Sequence, residues 1–276
     1  MDSQLQRAQA FQALHQAGQC FVMPNAWDGG STKLLASLGF KAIASTSAGL
    51  AFALGRPDAE GALSRDEILS NARSMVEATA LPVSADLENG FADAPEGCAE
   101  TIRQAAAAGL VGGSIEDASG RADQPIYPFE LAVERVRAAV EAARGLPFPF
   151  VLTARAENLL HGRLDMADTL RRLEAYAEAG ADVLYAPGLR SVEDIRAVLQ
   201  AVAPRPVNVL MGLSGVQLSV TQLAELGVRR ISVGGSLARA AFGAVLQAAQ
   251  EINGPGTFDY CARAMPFDRL NALFRG

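Results

Sequence analysis

The chain has 276 residues, 50% hydrophobic and 20% charged, with a formal net charge of −6 and a pI near 5.1. That is enough chain for one large core. The acidic balance, with no basic stripe, excludes a nucleic-acid partner, and no apolar run of about 18 residues is present to span a membrane. The start, Met1-Asp2-Ser3-Gln4, carries no apolar stretch of the secretory kind. Cys20, Cys98 and Cys261 are scattered and match neither a zinc pattern nor a disulfide framework. A cytoplasmic protein is expected.

Strand-like runs alternate with helical patterns along the chain. The runs fall at 20–24, 42–46, 82–86, 113–116, 150–153, 183–186, 207–210 and 231–233. Helix-period segments lie between them and are clearest at 94–108, 128–144 and 166–179. Ser64 before Asp66-Glu67 and Ser191 before Glu193-Asp194 mark helix starts. Gly39, Gly109, Gly180 and Gly227 each stand between a helical pattern and the next strand, as C-terminal caps do. Repeated β–α units of this kind predict an α/β fold, a (β/α)₈ barrel of TIM type in one domain spanning 1–276. Residues 252–276 lie beyond the eighth unit. Phe258, Tyr260, Met265, Phe267, Leu270 and Phe274 make that extension too apolar for a solvated tail, so it is expected to pack on the barrel or on a neighbouring subunit.

In such barrels the chemistry sits at the C-terminal ends of the strands. The third run ends in Ala85-Asp86-Leu87-Glu88-Asn89-Gly90, two carboxylates with no basic neighbour. They are either a polar, helix-capping loop or ligands of a hard divalent cation, which suits paired carboxylates that would otherwise be buried uncompensated. The fourth run adds Glu116 and Asp117, and the fifth adds Arg155, Glu157 and Asn158. Asp86, Glu88 and Glu116 come from adjacent strands and could face one point; an all-oxygen set favours Mg²⁺, with Mn²⁺ as a substitute, over zinc. Arg155 either binds a carboxylate or oxyanion or forms a salt bridge to Glu157 or Asp86.

Absences also discriminate. Lys33 and Lys41 are the only lysines, and neither lies at a strand end in the mouth, so a Schiff-base aldolase is excluded. His161 follows the fifth strand and is either a proton shuttle or an ordinary loop residue; His15, on the N-terminal helix, is expected at the surface. The segment Ser45-Thr46-Ser47-Ala48-Gly49 reads as an anion cradle or as a strand with a hydroxyl-rich end.

Taken in order, Ser45–Gly49, Asp58, Ala85-Asp86-Leu87-Glu88-Asn89-Gly90, Ile115-Glu116-Asp117, Thr153-Ala154-Arg155 and Asn208 resemble the isocitrate lyase/phosphoenolpyruvate mutase superfamily over nearly the whole chain. The resemblance implies a (β/α)₈ barrel whose eighth helix is swapped between subunits of a homodimer or homotetramer. It also implies Mg²⁺ and a small 2-oxo acid or its enolate. Carried over by position, Asp86 holds the metal directly or through water, and Glu88 and Glu116 hold it through waters. Asp58 orders the surrounding shell, Thr46, Ser47 and Ala48 take the substrate carboxylate, Arg155 takes an oxygen or carboxylate, and Asn208 lines the far wall. One departure is clear. The loop after the fourth strand, Asp117-Ala118-Ser119-Gly120-Arg121-Ala122-Asp123-Gln124-Pro125, lacks the cysteine of isocitrate-cleaving members and the lysine of the phosphonate enzymes.

The expected function is therefore a Mg²⁺-dependent carbon–carbon lyase of a 2-oxo acid, of oxaloacetate-decarboxylase or retro-aldol type. Proton delivery would fall to water, Tyr185 or His161. The alternatives are a 2-oxo acid binder that has lost catalysis, or an enzyme of phosphoenolpyruvate or phosphonopyruvate P–C bonds.

Overall fold

The structure, a computed structural model, describes residues 4–58, 61–212 and 216–275. Helix α1 (Gln4–Gln16) leads into β1 (Phe21–Val22) and β2 (Asn25–Ala26), then α2 (Gly29–Ala36), β3 (Ile43–Ser45), α3 (Ser47–Ala53) and α4 (Arg65–Glu77). The middle of the chain runs β4 (Val83–Asp86), α5 (Pro95–Ala107), β5 (Gly112–Glu116), α6 (Phe129–Arg144), β6 (Val151–Arg155) and α7 (Met166–Glu178). It closes with β7 (Val183–Tyr185), α8 (Val192–Ala201), β8 (Val207–Leu210), α9 (Val220–Leu226), β9 (Arg230–Ser232) and α10 (Ser236–Asn253). A 3-10 turn (Asp259–Arg263) and α11 (Phe267–Arg275) follow.

All strand pairs are parallel, in the order β1-β9-β8-β7-β6-β5-β4-β3-β2. The outermost members, β1 and β2, are two parts of one strand, so the sheet curls into a TIM-type barrel. The single first strand expected at 20–24 is broken at its end because Pro24 has no N–H to donate. Met23 still donates to the Ile231 carbonyl at 2.8 Å, while the Pro24 carbonyl accepts from Ala44 at 2.9 Å. The chain thus changes ladder partner from β9 to β3 across that one residue.

Two apolar layers hold the barrel. The larger lies between strands and helices and includes Ile43, Leu69, Leu87, Ile102, Ile115, Leu152, Leu184 and Ile231. The smaller fills the N-terminal end of the barrel with Met23, Ala44, Val151 and Val183, sealed by Ala8 and Phe11 of α1. The chemistry is therefore confined to the other end.

The expected helix ends are in place. Ser64 and Ser191 form reciprocal capping boxes with Glu67 and Asp194. Gly39, Gly109, Gly180 and Gly227 have φ of 83°, 91°, 101° and 98°, a region open to glycine at little cost. Within the extension, α11 rests on α2, and Lys33 Nζ donates to the Phe274 carbonyl at 2.9 Å. Phe258 and Phe267 stay 61% and 79% exposed, so packing within one chain covers only part of this segment.

Candidate active site

Alternation along each strand turns every second residue inward. Asp86, Glu116, Arg155 and Tyr185 thereby reach the C-terminal mouth from β4, β5, β6 and β7. Arg155 sits at their centre. Its two terminal nitrogens reach Asp86 Oδ1 at 2.8 Å and Glu116 Oε2 at 3.1 Å, and its Nε reaches Glu157 Oε1 at 2.9 Å. The salt bridges weighed from the sequence, to Glu157 or Asp86, both exist, and Glu116 adds a third. Burial works against the Arg155 cation, but Glu157, Glu116 and Asp86 more than offset it and hold the group well above its ordinary pKa.

The other oxygen of Asp86 accepts from the Ser47 hydroxyl at 2.8 Å and the Ser47 N–H at 3.3 Å. The Asp86 N–H donates to Ser45 Oγ at 2.9 Å. The hydroxyl-rich end of β3 thus orients this carboxylate. Thr46 caps α3 through the Gly49 N–H at 3.3 Å. Gly49 is required by space: a Cβ there would lie 2.7 Å from Thr46 Cγ2 and 2.8 Å from Trp27 Cβ.

Glu88 is held differently. Its φ is +46°, a left-handed conformation rare for a residue with a side chain, and such strain collects at functional sites. Burial pushes its carboxyl up to about 7, and the charges of Asp86 and Asp58 push the same way against Arg155. Burial also drives Glu116 well above the usual carboxylate range and raises Glu157. The mouth therefore holds Asp58, Asp86, Glu88, Glu116 and Glu157 around a single central guanidinium.

Behind the cluster, Asp117 does not face the mouth. Its Oδ1 accepts the Glu157 N–H at 2.8 Å, and its Oδ2 accepts from Tyr176 Oη at 2.6 Å and from Arg172 at 3.0 Å. Asp117 is a brace that fixes the chain carrying Glu157.

Two cavities open here, an upper one of about 750 Å³ and a lower one of about 320 Å³ inside the barrel. They share Ser47, Asp58 and Arg155 in their walls. Glu88, Glu116 and His161 face the upper cavity; Thr46, Ala48, Asp86, Tyr185 and Asn208 face the lower one. Burial lowers the pKa of His161. Burial pushes the Tyr185 phenol well up, against the opposing pull of Arg155, whose guanidinium carbon is 5.2 Å from the ring centre.

The residues expected at the site are thus gathered around two joined cavities, with two differences. Among the described residues, no three His, Cys, Asp or Glu side chains converge closely enough to hold a metal ion. Asp86 and Glu116 are instead drawn to Arg155. Asn208 lines the lower cavity, but its side chain is already engaged: its amide donates to Ser232 Oγ at 2.9 Å and its carbonyl accepts from Arg230 Nε at 2.9 Å.

His15, expected at the surface, is 7% exposed. It stacks edge-on against Phe11 and Phe21, with ring centres 4.7 and 5.1 Å away. The helix carrying it lies across the end of the barrel, a placement no local pattern reveals. Arg230 was not singled out from the sequence, although counting back two from Ser232 on β9 would have turned it inward.

A barrel with carboxylates and an arginine converging at the C-terminal strand ends is an enzyme architecture. The phosphoenolpyruvate phosphomutase family model matches residues 11–253, and the chain belongs to that family, within the isocitrate lyase/phosphoenolpyruvate mutase superfamily. It is 30% identical over 278 residues to a Corynebacterium glutamicum protein named "Probable 2-methylisocitrate lyase 1", covering 98% of this chain and 89% of that one. A crystal structure of a protein of Burkholderia cenocepacia J2315, provisionally described as a lyase/mutase, superposes with a TM-score of 0.97 at 57% identity, covering 100% and 98% of the two chains. Two further structures align at 25% and 26% identity with TM-scores of 0.88 and 0.86. They are oxaloacetate acetylhydrolase with its product oxalate (99% and 95% coverage) and phosphonopyruvate hydrolase with oxalate and Mg²⁺ (98% and 95%).

Proposed function

We propose that the chain is a Mg²⁺-dependent lyase that cleaves a carbon–carbon bond of a small 2-oxo acid, by decarboxylation of the oxaloacetate kind or by retro-aldol cleavage. The observation that carries this reading is the cluster of carboxylates around the Arg155 guanidinium, more than its one charge can balance, with Glu88 strained and raised to about 7. A divalent cation balances that surplus. With no three acids among the described residues close enough to bind it directly, it would keep most of its shell as water, which suits Mg²⁺, or Mn²⁺ in its place. Asp86 would hold it directly, and Glu88 and Glu116 through water. When bound, the ion supplies a Lewis acid at the 2-oxo group where enolate charge develops.

The chain's own residues do the rest. Thr46, Ser47 and Ala48 receive the 1-carboxylate at the end of β3. Arg155 adds fixed positive charge where the enolate oxygen develops, in a site with little water to screen it. Asp58, which lines both cavities, orders the shell around the ion or the substrate. The carbanion carbon takes its proton from water, Tyr185 or His161, and a Tyr185 phenolate left by that transfer would be held beside Arg155 until solvent returns the proton. His161, half-buried and neutral, lines the path to solvent.

The test is an NMR assay of oxaloacetate and of 4-hydroxy-2-oxo acids with Mg²⁺. Turnover above the metal-only background is expected, and its absence for both substrate types would sink the lyase reading. Two observations favour a second reading, a binder without catalysis: Arg155 is already engaged by three carboxylates, and the loop after β5 has no cysteine, histidine or lysine. Saturable 2-oxo acid binding with no product would support it, and a phosphorus NMR signal from phosphonopyruvate would point to P–C chemistry instead.

The assembly belongs to the same proposal. On α10, Phe242, Val245 and Leu246 are 44%, 67% and 59% exposed. An exchange of this helix between subunits of a homodimer or homotetramer would cover them.

A further inference from the structure

Three arginines line the lower cavity: Arg155, Arg230 and Arg239. Arg155 is already ion-paired with three acids, and Arg239 is exposed to solvent. Arg230 is 3% exposed and, among the described residues, has no carboxylate within ion-pair distance. Its partners are neutral: Asn208 Oδ1 at 2.9 Å, Thr153 Oγ1 at 2.9 Å and His15 Nε2 at 3.3 Å.

The tautomer of His15 follows from its other bond. Nδ1 lies 2.8 Å from the Phe11 carbonyl, which can only accept, so Nδ1 carries the hydrogen and Nε2 accepts from Arg230. Burial and the Arg230 charge hold His15 down to about 3, so it brings no charge of its own. The cluster is a buried net positive charge. Burial lowers the Arg230 pKa to about 10, which reports how poorly this cation is compensated. Of the five N–H groups of a guanidinium, the three named bonds use three, one on each nitrogen.

A buried charge without a counter-charge is costly, and proteins ordinarily pair such groups. Here the unpaired cation faces a cavity of about 320 Å³, within the range of small-ligand sites. The same cavity is bounded above by Ser47, Asp86 and Arg155, where the 2-oxo acid head is placed. We propose that Arg230 makes the barrel interior an anion subsite that takes a small carboxylate, and that in the substrate this is the second carboxylate of a dicarboxylic 2-oxo acid. The assignment to substrate rests on the lyase reading; the anion subsite itself does not. The polar ring of Thr153, Asn208 and His15 holds the guanidinium in one orientation, so the subsite is set before the ligand arrives.

The test uses the full chain in chloride-free buffer and two arms. In the first, sodium formate is titrated at constant ionic strength while the unfolding midpoint is followed. A saturable rise is expected in the wild type and none in Arg230→Met. In the second, calorimetry with Mg²⁺ compares acids that differ by the terminal carboxylate: 2-oxobutyrate with oxaloacetate, and 2-oxovalerate with 2-oxoglutarate.

The diacid of at least one pair is expected to bind about tenfold tighter, a charge-assisted preference. That ratio should collapse in Arg230→Met and survive in part in Arg230→Lys. A formate response without a diacid preference supports the subsite with a free anion as its occupant. A wild type with neither response overturns the proposal without any variant, and so does a diacid preference that persists in Arg230→Met. Failure of all four oxo acids to bind would instead remove the lyase reading and leave the formate arm to judge Arg230 alone.

Discussion

Asp86 is the residue on which the mouth turns, because it meets Arg155 with one oxygen and Ser47 with the other. On the proposed Mg²⁺ reading, Mg²⁺ should raise the unfolding midpoint of the wild type, and Asp86→Ala should abolish that rise. An unchanged shift, measured by thermal scans with and without the metal, would take Asp86 out of the site. His15 makes a different prediction, at the opposite end of the barrel. Its folded pKa, about 3, is lower than the unfolded value near 6.5. The stability this group provides is therefore complete above pH 6.5 and is lost as pH falls from there towards 3. By pH 5 the loss is about 2 kcal/mol. Urea unfolding at pH 7 and pH 5 should show a drop smaller by about this amount in His15→Gln, and equal drops in both proteins would refute the buried neutral imidazole.

At the level of elements, the site depends on a short helix brought very close to a neighbouring loop. Gly49 in α3 has no room for a methyl group between Thr46 and Trp27. Gly49→Ala should lower stability by about 1–3 kcal/mol, the usual cost of overpacking. It should also raise KM for a 2-oxo acid more than it lowers kcat, because the displaced part is the Ser47 and Ala48 cradle. Steady-state kinetics beside a denaturant titration test both parts; a KM unchanged in a destabilised variant would separate α3 from substrate binding. The brace of Asp117, Arg172 and Tyr176 shows the same division of labour, since it supports Glu157 from outside the mouth.

The whole molecule leaves an apolar surface on its last long helix. Single exposed apolar residues are ordinary, but Phe242, Val245 and Leu246 on α10 form a cluster, with Phe258 and Phe267 beyond it in the chain. Sedimentation velocity at micromolar concentration should report a dimer or tetramer, and Leu246→Asp should shift it to monomer. At an exposed position in a monomer that substitution would change stability by no more than about 0.5 kcal/mol. A wild type that sediments as a monomer would end the helix-exchange reading.

The alternation of short apolar runs with capped helices determined the barrel, because strand and helix periods and capping are local properties. Placing carboxylates and Arg155 at strand ends was equally local, since the topology puts every such end at one mouth. Pairing was not local. Arg155 could have bridged one acid or bound a ligand, and only the converging strands gave it three acids at once. His15 and Arg230 are 215 residues apart and acquire meaning only when α1 covers the N-terminal end of the barrel. Burial and charge balance depend on which distant segments exclude water from a side chain, and that is decided by the packed chain rather than by any stretch of it.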